Sequence, residues 1–307
     1  MAENSGNNGR WNAIGMIIKP FLVYYAIYFI TSIMLTCLVI SVSQKAGGPL
    51  EQFCTEQEAT VRAVIGGLAM LSGILPLFST FRRGICNHNN RNDNISNLKK
   101  EKDSGHKKDD IGQKQPLLNR WGAGAFLQNA FVTITLAISS SVALNILLML
   151  LRLTEASETY DQVSAHQYGV IMPVGLFLYG VVSPFAEEVV FRGVIYNRAK
   201  TCFSSVTAPM ILSSLLFGVY HGNIVQMLYG FLMGMLIAFV YEKCGRFVYA
   251  FLFHAAANAA VYVITGSPFL YGIFMTPSAG LILAGISAVL LGFMSVGGSG
   301  RKENENP

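Results

Sequence analysis

Charge is what this sequence has least of. Asp, Glu, Lys and Arg make up 13% of its 307 residues, while 52% are hydrophobic. Soluble domains carry about 25% charged residues, so an ordinary soluble globular domain is excluded. The period-two alternation of barrel strands is also missing, which leaves helices to satisfy the backbone in lipid. There is no Cys-x-x-Cys pair: Cys37, Cys54, Cys86, Cys202 and Cys244 are scattered. Neither a metal knuckle nor a disulfide framework is indicated, and free thiols are expected, buried at Cys37, Cys202 and Cys244. The net charge of +5 gathers in particular loops, where it sets topology; no nucleic-acid partner is expected.

What the sequence has instead is long apolar runs, and they define the expected fold class: all-α, a polytopic transmembrane helix bundle of about eight spans. Residues 1–19 are polar, rich in Asn and Gly, and expected to be disordered. Region 20–81 holds two spans, Phe21 to Val42 and about Ala63 to Phe81. The first is longer than the roughly 7–15-residue core of a signal peptide and is read as a retained helix. Residues 82–120 carry ten basic and five acidic residues, too polar to build a core, and are expected to form a disordered, basic cytoplasmic loop. Region 121–168 holds a third span, about Phe126 to Leu151, and an acidic loop with Glu155, Glu158 and Asp161. Region 169–265 holds four apolar runs, about Gly169 to Tyr196, Val206 to Tyr220, Ile224 to Tyr241 and Val248 to Thr265. Region 266–307 holds a last span, about Ala279 to Val296, and a polar tail.

Lys and Arg recur in the N-terminal segment, the 82–120 loop, the 197–205 turn, the 242–246 turn and the tail. The alternate loops are acidic or neutral. Basic residues favour cytoplasmic loops, so both termini are expected in the cytoplasm. The Asn-rich termini and the lack of targeting signals point to a bacterial cell membrane, with the lipid bilayer as surroundings. Oligomeric state is not readable.

Ionised groups inside an apolar span are expensive, so their presence is a functional signal. The fourth run contains Ser183-Pro184-Phe185-Ala186-Glu187-Glu188-Val189-Val190-Phe191-Arg192-Gly193. On a helix Glu188 and Arg192 are i and i+4 and able to pair. Glu187, about 100° further round, can face a different partner. Pro184 removes a backbone donor and frees a carbonyl one turn back, near Gly180. Taken alone, the segment reads equally well as a buried ion pair stabilising a bundle.

Two further motifs place polar residues in or at the end of apolar runs. Phe217-x-x-x-His221 ends the fifth, and His254-Ala-Ala-Ala-Asn258 lies in the seventh, with its two polar residues on one face. At about 1.5 Å per residue, Glu187 lies roughly 15 Å in from the basic end of its span and His254 about 10 Å in. The fifth and sixth runs are expected to form a short hairpin bent at His221-Gly222. All these groups can then share one cavity, each supplying the partner another needs in lipid.

Glu-Glu-x-x-x-Arg, Phe-x-x-x-His and His-x-x-x-Asn, in that order on successive apolar segments, resemble the CPBP family of CAAX prenyl endopeptidases and bacteriocin-processing, Abi-type intramembrane proteases. The resemblance covers about Gly169 to Thr265. It implies an intramembrane endopeptidase in which Glu187, helped by His221, activates a water as general base. His254 and Asn258 would stabilise the oxyanion. Glu188 would be positioned by Arg192 or share the base role. The substrate implied is a peptide or membrane-protein segment: a prenylated C-terminus, a leader peptide or a membrane-protein tail. Glu187, His221 and His254 are also candidate ligands for a divalent metal such as zinc. However, His-Glu-x-x-His is absent, and the same groups suit a metal-free glutamate mechanism, so the cofactor expected is none or a divalent metal. A non-catalytic membrane scaffold or chaperone, or a proton-coupled transporter, would use the same buried charges. The transporter is weakened by the lack of an internal repeat.

Overall fold

The computed structural model describes residues 2–90, 123–155 and 157–296, and among them every regular element is a helix. In chain order these are α1 (Ala2–Ala46), α2 (Gly48–Glu56), α3 (Glu58–Asn90), α4 (Ala123–Leu150), α5 (Glu158–Tyr168) and α6 (Met172–Cys202). Then follow α7 (Thr207–Tyr220), α8 (Ile224–Cys244), α9 (Phe247–Gly266), α10 (Pro268–Phe274) and α11 (Pro277–Val296). Seven of the described helices, α1, α3, α4, α6, α8, α9 and α11, are long and apolar enough to cross a membrane. The fifth apolar run forms only the 14-residue α7. It turns straight into α8, as expected for a short hairpin.

Two apolar cores flank α6. On one side Tyr24 of α1, Phe81 of α3 and Phe217 of α7 pack on Phe191 and Val194 of α6. On the other, Leu136 of α4, Tyr241 of α8, Phe253 of α9 and Met294 of α11 gather around Tyr196. Every residue from Val189 to Tyr196 is buried, so α6 is the central post of the bundle. Outward apolar side chains such as Leu22, Phe29 and Met34 on α1 and Leu281 and Val289 on α11 are exposed, as lipid-facing surfaces require. Where α3 crosses α6, Gly84 lies against the backbone at Gly193, and Phe81 fills the space that a Cβ on Gly193 would need.

The turns follow from local chemistry. Gly222 takes φ +77° between α7 and α8, and Asn223 caps α8 by accepting from the Gln226 N–H at 2.8 Å. Gly245 ends α8 in the left-handed conformation at φ 72°, the usual role of a glycine after a helix C-terminus.

Several sequence expectations are corrected. The N-terminal segment is helical from Ala2 rather than disordered. Tertiary contacts reach below Lys19, because Ile17 is buried and Arg198 donates to the Met16 carbonyl at 2.7 Å. The second span does not stop at Phe81: α3 continues to Asn90, so residues 82–90 are helical. The rest of the basic 82–120 loop, 91–120, lies outside the described residues. The segment read as an acidic loop contains α5, capped by Ser157, whose hydroxyl accepts from the Tyr160 N–H at 3.3 Å. All five cysteines are free, but only Cys244 is buried; Cys37 is exposed and Cys202 half-buried. Apolar sequence around a thiol signals lipid as readily as core.

Candidate active site

The site is built on α6, whose hydrogen bonding departs from the α pattern in two π-helical stretches, Leu178–Val182 and Val189–Tyr196. Such stretches recur at functional sites. In the first, the Ser183 N–H reaches back to the Leu178 carbonyl. In that register the atom facing the Tyr179 carbonyl is the Pro184 nitrogen, which carries no hydrogen. The carbonyl freed by Pro184 is therefore at Tyr179, one residue before the expected Gly180. It accepts instead from Asn258 Nδ2 of α9 at 3.1 Å. A proline on one helix thus orients an amide on another.

Glu188 and Arg192 pair as their spacing suggests, Nη1 to Oε1 at 2.8 Å, and both are fully buried. Arg192 also donates from Nη2 to the Gly234 carbonyl of α8 at 2.9 Å and lies over the Phe217 ring at 4.9 Å. The same Glu188 oxygen is 2.8 Å from His254 Nδ1. An ionised carboxylate can only accept, so the hydrogen lies on Nδ1. His254 is in this way tied through Glu188 to the guanidinium. Its other nitrogen, Nε2, lies 3.6 Å from Glu187 Oε2. Glu187 is held from behind by Ser183, whose hydroxyl donates to Oε1 at 2.7 Å.

Glu187, His221, His254 and Asn258 line one cavity of about 490 Å³, together with Ser183 and Tyr220. Glu188 and Arg192 do not line it; they stand behind it. His221, at the end of α7, bonds through Nδ1 to the Phe217 carbonyl at 2.8 Å, leaving Nε2 for the cavity. The Phe217 ring is edge-on to both imidazoles, at 4.9 Å from His221 and 5.4 Å from His254. Glu187 takes its hydrogen bond from Ser183 and has the His254 imidazole within 3.6 Å, while His221, the expected helper of the base, lines the same cavity.

As arranged here, Glu187, His221 and His254 do not form a metal-ligand cluster. Among the described residues no three His, Cys, Asp or Glu side chains gather closely enough to hold an ion. Both imidazoles use Nδ1 away from the cavity, on Glu188 and on the Phe217 carbonyl, which leaves Nε2 of each able to take a metal or a proton.

Sequence reasoning gave no role to three contributors: Ser183 and Phe217, which stand in the quoted motifs, and the Tyr179 carbonyl. Ser183 carried a signal, since it precedes Glu187 by four residues on one helix face. The Tyr179 carbonyl carried one only through Pro184, and the π-helical register that selects it is not written in residue types.

Bundle and cavity together define a class: a multi-pass helical membrane protein with carboxylates, imidazoles and an amide gathered inside the apolar region. Comparison with known proteins adds a family likeness. Residues 170–260, a stretch that includes all three motifs, match the family described as type II CAAX prenyl endopeptidase Rce1-like. A Bacillus subtilis (strain 168) protein described as "Putative membrane peptidase YdiL" is 26% identical over 101 residues, 32% of this chain. The matched part spans 39% of that relative's length. No solved structure matches. Both likenesses support the CPBP resemblance drawn from the motifs.

Proposed function

We propose that the chain is an intramembrane endopeptidase that hydrolyses a peptide bond with a water activated by Glu187. The observation that carries this reading is the pair Glu187 Oε2 and His254 Nε2, 3.6 Å apart on the wall of a cavity that also takes in His221 and Asn258. A water held between carboxylate and imidazole is positioned for attack on a carbonyl.

In this scheme Glu187 takes a proton as the water oxygen bonds to the carbonyl carbon. Asn258 Nδ2 uses one N–H on Tyr179 and has a second to give to the developing oxyanion. His254, with its hydrogen on Nδ1 toward Glu188, turns Nε2 to the water beside Glu187 and helps to orient it. When the C–N bond breaks, the proton held by Glu187 passes to the leaving nitrogen, which restores the carboxylate. His221 presents Nε2 to the same cavity and assists the base. Arg192 is a positioning residue: it holds Glu188, and Glu188 holds His254. Ser183 is the corresponding support of Glu187.

The substrate proposed is an extended segment of a peptide or membrane protein that reaches the cavity: a prenylated C-terminus, a leader peptide or a membrane-protein tail. The test is to reconstitute the full chain in lipid with candidates of each kind and read new termini by mass spectrometry. The reading expects one defined cut with a free carboxylate and a free amine. Candidates of all three kinds left intact by the folded, reconstituted protein would favour the scaffold or transporter instead.

A further inference from the structure

At the basic end of the bundle a second cavity, about 340 Å³, opens between α3 and α6. It is separate from the one above and shares no lining residue with it. Its walls carry Thr80, Arg83 and Asn87 from α3 and Arg198, Lys200 and Thr201 from α6. None of its lining residues is acidic.

The three cations are not equivalent. Lys200 is satisfied within the protein, with Nζ 2.8 Å from both oxygens of Glu242. Among the described residues Arg198 bonds only neutral oxygens, the Met16 carbonyl at 2.7 Å and Thr80 Oγ1 at 3.5 Å. Arg83 makes one long bond from Nε to its own helix, to the Ser79 carbonyl at 3.4 Å. Neither guanidinium has a carboxylate within ion-pair distance among the described residues. Two like charges facing one cavity repel, and part of the wall around them is apolar side chain and backbone. An anion between them would offset that repulsion, and the fork of an Arg matches phosphate oxygens two at a time.

We propose that the α3–α6 cavity binds a phosphate group, bridged by Arg83 and Arg198. Basic pockets between membrane helices take anionic headgroups, and the loop charges put this end in the cytoplasmic leaflet. The Asn87 amide lies on the same wall and can hydrogen-bond a further oxygen, whereas the Thr201 hydroxyl spends its hydrogen on the Arg198 carbonyl at 2.7 Å. Gly84 and Gly193 bring the two helices into backbone contact beside the cavity, so a bound phosphate would clamp α3 to the helix that carries Glu187. This proposal does not depend on the protein being a protease.

The test uses the full chain in nanodiscs. Wild type is prepared in phosphatidylcholine with a minor fraction of phosphatidylglycerol, and lipid retained after extraction is read by native mass spectrometry. Retained phosphatidylglycerol, reduced about tenfold in Arg83→Gln/Arg198→Gln and unchanged in Arg62→Gln at the other end of α3, supports a lipid headgroup. A rise in melting temperature with inorganic phosphate, in wild type and not in the double variant, supports free phosphate as the source. Should the double variant fail to fold, Arg83→Gln alone serves, since it loses one local bond. Binding of neither probe, or equal binding by the variants, overturns the proposal.

Discussion

His254 Nδ1 and Arg192 Nη1 meet the same oxygen, Glu188 Oε1, each at 2.8 Å. An imidazole on α9 is thereby fixed by a guanidinium on α6 that never reaches the cavity. The carboxylate between them is fully buried, where an unpaired charge is heavily penalised.

Removing the guanidinium should therefore damage folding as well as rate. Arg192→Ala is expected to destabilise the protein by about 3–5 kcal/mol, because it leaves Glu188 buried without its cation. Thermal melting and folded yield in detergent measure this. Arg192→Lys should recover only part of the loss, since an ammonium cannot serve both Glu188 and the Gly234 carbonyl in the same fork geometry.

Asn258→Ala should leave the bundle folded and act on turnover. Losing one oxyanion donor costs about 10²–10³ in rate, so kcat is expected to fall by that factor with little change in KM. Steady-state kinetics on whichever substrate is cleaved would show it.

Pro184→Ala tests the link between the two helices. The new N–H can bond the Tyr179 carbonyl and compete with Asn258 for it. The expected result is a loss of kcat smaller than that of Asn258→Ala, with melting temperature unchanged or raised. An unaltered kcat would mean that the freed carbonyl does not orient the amide.

Residues 91–120 lie outside the described structure, but their place relative to the membrane is testable. The distribution of Lys and Arg predicts the cytoplasmic side. A cysteine at Asn97, in a background where Cys37, Cys54, Cys86, Cys202 and Cys244 are replaced, should resist an impermeant thiol reagent in intact cells and react after permeabilisation. Labelling in intact cells would reverse the topology.

Much of the architecture was legible because it rests on one-dimensional signals. Apolar run length marks the long helices, and i, i+4 spacing pairs Glu188 with Arg192. Gly222 marks the bend between α7 and α8. The partner choice inside the cavity was not legible. His221 and His254 are the same residue type in similar apolar settings, and which one approaches the glutamates depends on how α7 and α9 cross α6. The helical start at Ala2 was missed for a related reason: local composition there is polar, and the anchors at Ile17 and Met16 are tertiary. Pro184 announced a freed carbonyl, but only the π-helical register moved it to Tyr179.

The central claim is that the Glu187 carboxylate takes a proton from water. Glu187→Gln keeps the size of the side chain and can still bond Ser183, yet an amide cannot serve as the base at neutral pH. The decisive measurement is single-turnover cleavage of a reconstituted substrate by folded Glu187→Gln beside wild type, with melting curves to show that both are intact. The account predicts no cleavage by the variant and an unchanged fold. Wild-type cleavage by Glu187→Gln would contradict it.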